Sequence, residues 1–75
     1  MKKVLFLNTD RNGYDPEQCG RTMTVGELIS LLEDFDSDRE IFLRNDNGYT
    51  YGSIVESDFV NGKYDNEDVI IDEEW

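Results

Sequence analysis

Seventy-five residues with 18 acidic and 7 basic side chains carry a net charge of −11, with no histidine and a single cysteine. That length holds one domain, residues 1–75, with a thin core, and the charge argues against direct binding to nucleic acid or an anionic membrane, since both require a basic footprint. One cysteine rules out an intrachain disulfide and a cysteine-built metal cage, and it suits a reducing cytoplasm.

Four Phe, four Tyr and one Trp provide core material that a disordered chain lacks. A chain this short has little stability in reserve, so a homo-oligomer is compatible with it.

The chain opens M-K-K-V-L-F-L, which imitates the start of a signal peptide. The apolar run stops at Asn8, far short of a secretory h-region. Residues 3–8 read instead as a first strand. Val4, Leu5, Phe6 and Leu7 are apolar on both alternating faces, the pattern of an interior strand covered on both sides. Residues 9–22 form a polar loop that includes Tyr14 and Cys19, with turn signals at Asn12-Gly13 and Asp15-Pro16. No segment is long enough to span a membrane.

Residues 24–35, T-V-G-E-L-I-S-L-L-E-D-F, predict the one helix. Thr24 is suited to the N-cap, because its hydroxyl accepts from the unpaired N–H groups of the first turn. Glu27 stands three residues on and can reach back to the Thr24 N–H, completing a capping box; Met23 and Leu28 have the spacing of a hydrophobic staple. Val25, Leu28, Ile29, Leu32 and Phe35 share one helical face, while Ser30, Glu33 and Asp34 fall away from it. Gly26 is tolerated near a helix start. The exit runs through Asp36, Ser37 and Asp38.

Residues 39–44 read as a second strand, with Ile41 and Leu43 on one side and Glu40, Phe42 and Arg44 on the other. Asn45-Asp46-Asn47-Gly48 is a strong hairpin turn. Residues 49–55 return as a third strand with Tyr49, Tyr51 and Val55 on one face and a bulge signal at Gly52. Asn61-Gly62 predicts a second hairpin turn, between Phe59-Val60 and Lys63-Tyr64. Residues 68–72 form the last strand, built on Val69, Ile70 and Ile71. The expectation is an α+β domain ordered β-α-β-β-β, with one helix packed on one face of a four- to five-stranded, mostly antiparallel sheet.

The unit T-V-G-E-L-I-S-L-L-E-D-F-D-S-D-R-E-I-F-L, followed by N-G-Y-T-Y-G-S-I, resembles small acidic accessory proteins of bacteriophages and prophages, in which a T-V-x-E-L-I helix runs through D-x-D into a strand and a hairpin. The resemblance covers residues 24–55, mostly capping and packing positions. It implies a phage accessory protein acting in the host cytoplasm, of a kind that includes inhibitors of CRISPR effectors and restriction enzymes. No residue-level functional motif carries over.

Little in the chain points to catalysis or metal binding. Asp34, Asp36 and Asp38 are spaced as in an EF-hand loop, but Arg39 stands where that loop needs glycine and Asn45 where it needs a bidentate Glu, so a helix exit is the better reading. No histidine is present to activate Cys19, and there is no glycine-rich phosphate loop. An enzyme is not expected, and no catalytic residue, metal ligand or cofactor is assigned.

The charge itself is uneven. Residues 1–44 hold nine acids and six bases, whereas residues 45–75 hold nine acids and only Lys63. The candidate partner-binding residues are Glu56, Asp58, Tyr64, Asp65, Glu67, Asp68, Asp72, Glu73 and Glu74, interleaved with Phe59 and Trp75. Carboxylates spaced along strands can stand in for a line of phosphates and draw in a protein whose basic groove grips nucleic acid. Tyr and Trp are residue types that anchor interfaces. The leading expectation is therefore an anti-defence inhibitor that mimics nucleic acid toward a host nucleic-acid-binding protein. A second is a non-catalytic interaction or oligomerisation module using the sheet edge and Phe42, Tyr49 and Tyr51. A third is sequestration of a nucleotide signal by Arg11, Arg21, Arg39 and Arg44.

Overall fold

The computed structural model describes residues 1–66 and 68–72. In chain order they form β1 (Leu5–Thr9), a 3-10 turn (Pro16–Cys19), α1 (Val25–Leu32), β2 (Ile41–Asn45), a tight turn (Asp46–Gly48), β3 (Thr50–Ser53), a second 3-10 turn (Glu56–Asp58), β4 (Asn61–Asp65) and β5 (Asp68–Asp72). The class is α+β, as expected, but the strands do not form one sheet. β1-β2-β3 make a three-stranded sheet and β4-β5 a separate two-stranded hairpin. The 3-10 turn after β3 accounts for the split. Asp58 Oδ2 accepts from the Val55 N–H at 2.9 Å, and the Phe59 N–H donates to the Glu56 carbonyl. This lock turns the chain away before β4 can return along β3.

Helix α1 begins as its sequence predicts. The Glu27 N–H donates to the Thr24 hydroxyl at 3.2 Å, and the Thr24 N–H donates to Glu27 Oε1 at 3.0 Å, a reciprocal capping box. Arg21 adds a charge-assisted hydrogen bond to Glu27 Oε2 at 2.8 Å. Open space surrounds Gly26, in keeping with simple tolerance at a helix start. The helix ends three residues earlier than its apolar period suggests. The Asp34 and Phe35 N–H groups bond to the carbonyls of Leu31 and Leu32 in tighter turns, which bring Phe35 beneath Arg39, whose guanidinium lies 5.4 Å from the ring centre.

β1 pairs parallel to β2, which pairs antiparallel to β3. The crossover from β1 to β2 carries α1, since parallel neighbours need a long connection. The registers Leu5–Ile41, Leu7–Leu43–Gly52 and Thr9–Asn45–Thr50 define one face of the sheet; Phe6–Phe42–Ser53 and Asn8–Arg44–Tyr51 define the other. The predicted alternation of Ile41 and Leu43 against Phe42 and Arg44 holds. Tyr51 lies on the Phe42 face, and its ring sits 5.6 Å from that of Phe6; of the three residues expected to share a face of the third strand, Tyr49 and Val55 fall outside it.

β1 is not the interior strand its apolar run predicts. It lies at the sheet edge, and Phe6 and Leu7 are each half exposed. Leu32 at the end of α1 and Leu5 and Ile41 at the start of the sheet line, with Phe35 and Arg39, a shared cavity of about 170 Å³. Among the described residues no side chain is fully buried.

β4 and β5 pair Asn61–Asp72, Gly62–Ile71, Lys63–Ile70, Tyr64–Val69 and Asp65–Asp68. The Asn61-Gly62 turn expectation is therefore overturned: both residues lie within β4. The reversal falls instead at Asn66, whose φ of 54° is left-handed and suits asparagine. Gly62 marks a close approach, because a side chain there would meet the Ile70 carbonyl oxygen at 2.8 Å.

The capping box makes one pH dependence explicit. The Thr24 N–H, and after it the Arg21 guanidinium, hold the Glu27 carboxyl below its ordinary value of 4.5. A depressed folded pKa contributes stability above the unfolded pKa and loses it as the pH falls through the folded one. Glu27→Gln is expected to lower the melting temperature at neutral pH, with the gap to wild type closing on acidification. Thermal melts followed by circular dichroism across that range check this, and a pH-independent gap contradicts it.

Candidate functional site

The candidate residues begin in the 3-10 turn that leads from the sheet to the arm. Glu56 and Asp58 lie in that turn, where Asp58 is committed to the Val55 N–H and so serves the loop. Asp65, Asp68 and Asp72 lie on the β4–β5 arm. Glu67, Glu73, Glu74 and Trp75 are outside the described residues.

Cross-strand partners share a face, so the register sorts the arm. Asn61, Lys63, Asp65, Asp68, Ile70 and Asp72 lie on one side, and Gly62, Tyr64, Val69 and Ile71 on the other. Three carboxylates and one lysine thus mark a polar face, with Ile70 between Asp68 and Asp72. At ~3.4 Å per residue, Asp68 and Asp72 stand roughly 14 Å apart along β5.

Tyr64 is separated from the acids it was grouped with, because a strand period of two sends it to the face opposite Asp65. It joins Val69 and Ile71 beside an open cavity of about 240 Å³ closed on another side by Pro16.

A second feature was not anticipated. The ends of β1 and β2 and the start of β3 enclose a polar recess of about 400 Å³ lined by Thr9, Asp10, Arg11, Asn45, Asp46 and Thr50. The Thr9 hydroxyl is hydrogen-bonded to the Asn45 side chain across it. Beside it, Arg44 donates from Nη1 to Asn8 Oδ1 at 3.1 Å and from Nη2 to the Asn47 carbonyl at 3.0 Å. The turn this clamp holds is unusual: Asp46, Asn47 and Gly48 have φ values of 50°, 56° and 92°. The sequence signal was N-D-N-G, composed of the residues that best tolerate left-handed backbone.

The other candidates are placed plainly. Asp34, Asp36 and Asp38 occupy the turns leaving α1, and no group of three or more metal-capable side chains comes together among the described residues. Cys19 is exposed, its thiol nearest the Asp15 carbonyl at 3.7 Å. Arg21, Arg39 and Arg44 are engaged by Glu27, the Phe35 ring and Asn8 respectively, and Arg11 lines the recess. No helix among the described residues is long and apolar enough to cross a membrane.

No family model matches the chain, no curated protein matches it, and no solved structure matches it.

Gly48→Ala is expected to destabilise the fold by about 1–2 kcal/mol, the penalty of a side chain in left-handed backbone. A new Cβ there would also lie 2.9 Å from Arg44 Nη2 and loosen the clamp on the Asn47 carbonyl. Urea denaturation measures the loss, and an unchanged midpoint contradicts the turn geometry.

Proposed function

We propose that this chain is a non-catalytic binding protein that occupies the basic surface of a nucleic-acid-binding protein with the carboxylate face of its β4–β5 arm. The observation that carries this reading is the sorting of Asp65, Asp68 and Asp72 onto one face of a hairpin that is separate from the main sheet. Asp68, paired with Asp65, and Asp72 stand roughly 14 Å apart along β5, about four nucleotides at ~3.4 Å each along a DNA strand. A groove shaped for regularly spaced phosphates therefore meets carboxylates at a commensurate interval, and the net charge of −11 steers the encounter.

The resemblance of residues 24–55 to phage accessory proteins supports placing the partner among host defence proteins, such as a CRISPR effector or a restriction enzyme, with inhibition following from occupation of the nucleic-acid channel. Sequestration of a nucleotide signal is the weaker reading, since three of the four arginines it requires already hold intrachain partners.

The test is a tagged pull-down from bacterial lysate with low- and high-salt washes, using wild type and the Asp65→Lys/Asp68→Lys double variant. A nucleic-acid-binding partner is expected that DNA or RNA displaces and high salt releases. The double variant should bind it about tenfold or more weakly. A partner held equally by the variant and indifferent to salt and nucleic acid refutes the reading.

A further inference from the structure

The accessible surface of this chain is too large for its mass. It exposes 7184 Å², whereas a compact monomer of 8.7 kDa exposes about 4,700 Å². The radius of gyration is 14.5 Å, against roughly 11 Å for a compact domain of this length. The excess of about 2,500 Å² is some three times the ~800 Å² that each partner contributes to a standard-size complex; over two chains it amounts to about 5,000 Å², the upper part of the ~2,000–5,000 Å² total that obligate homodimers bury.

Exposed apolar side chains mark particular elements: Val25, Leu28, Ile29 and Leu31 on α1, and two further faces. On the sheet face that α1 leaves open, Phe6 and Tyr51 are 50% and 57% exposed, with Phe42 between their strands. On the arm, Tyr64, Val69 and Ile71 form an uncovered apolar face, and an isolated two-stranded hairpin is marginal by itself. The arm face adds only Gly62 and carries no carboxylate; the open sheet face holds Asn8, Arg44 and Ser53 besides its aromatics, and Glu40, which precedes β2 on that side, is ion-paired with Lys2. Two chains of charge −11 can therefore meet there without setting acid against acid.

We infer that the occupant of these faces is a second copy of this chain, with the arm of each protomer laid by its Tyr64, Val69 and Ile71 face across the Phe6, Phe42 and Tyr51 face of the other. One two-fold operation covers the arm face and the open sheet face of both copies, because each chain supplies the arm and the surface that receives it. The area then matches a permanent interface rather than a passing one. The inference is independent of the nucleic-acid mimicry proposed above, which uses the opposite face of the arm.

Sedimentation equilibrium of the wild-type chain over a micromolar concentration series tests it. The expected mass is twice 8.7 kDa, and the melting temperature is expected to rise with protein concentration, as it does when folding and association are linked. Tyr51→Lys and Ile71→Lys should each weaken self-association by about thirtyfold or more, the loss expected for a charge at an interface centre. Asp65→Lys, on the other face of the arm, should leave the mass unchanged, so a failure here is distinguishable from a failure of mimicry. Wild-type protein that is monomeric throughout the series, with a concentration-independent melt, overturns the inference whatever the variants do. Dimerisation that persists in both Tyr51→Lys and Ile71→Lys overturns the assigned faces.

Discussion

Strand β2 has a neighbour on each side, one parallel and one antiparallel, and the described sheet is held together through it. The parallel partner comes earlier in the chain, so a long connection must leave the end of β1 and return to the start of β2. Helix α1 is the regular part of that connection, and its capping box sets where the connection becomes helical. Arg44 then ties the far end together, reaching from β2 to Asn8 on β1 and to the backbone of the turn that leads into β3. Loss of β2 would leave β1 and β3 without a ladder between them.

Around this scaffold the chain gains little from burial. The described side chains are at best partly covered, and a cavity lies between the end of the helix and Leu5 and Ile41 of the sheet. Ladder hydrogen bonds give a modest net gain each, and ordering a residue costs about 1–2 kcal/mol in backbone entropy alone. An open arrangement with half-exposed Phe6, Tyr51, Val69 and Ile71 does not balance that cost within one chain. In the dimer inferred above these groups leave water, and folding and assembly become one problem.

The β4–β5 arm carries both halves of the functional reading because a strand alternates its sides. Asp65, Asp68 and Asp72 share one face; Tyr64, Val69 and Ile71 share the other. In the dimer inferred above, the apolar side is covered and the carboxylate side stays outward, which braces the acidic row against its own repulsion. The two surfaces do not compete for a partner.

Local chemistry explains what could be read without coordinates. The Thr24–Glu27 cap, the N-D-N-G turn and the alternation of Ile41 and Leu43 with Phe42 and Arg44 depend on neighbours within a few residues, and each formed as expected. The apolar periods and turn signals were sufficient for the α+β class, and the count of acids for the acidic character of the second half. Pairing across the chain was decided only by tertiary structure. Asn61-Gly62 is a turn signal by local preference, yet the pairing of Tyr64 with Val69 and of Gly62 with Ile71 drew both residues into a strand. The Val4 to Leu7 run has the same composition whether a strand is central or awaits cover from another molecule, so it could not reveal that β1 lies at an edge. For the same reason the grouping of Tyr64 with the acids failed: closeness in sequence says nothing about which face a residue occupies until the register is known.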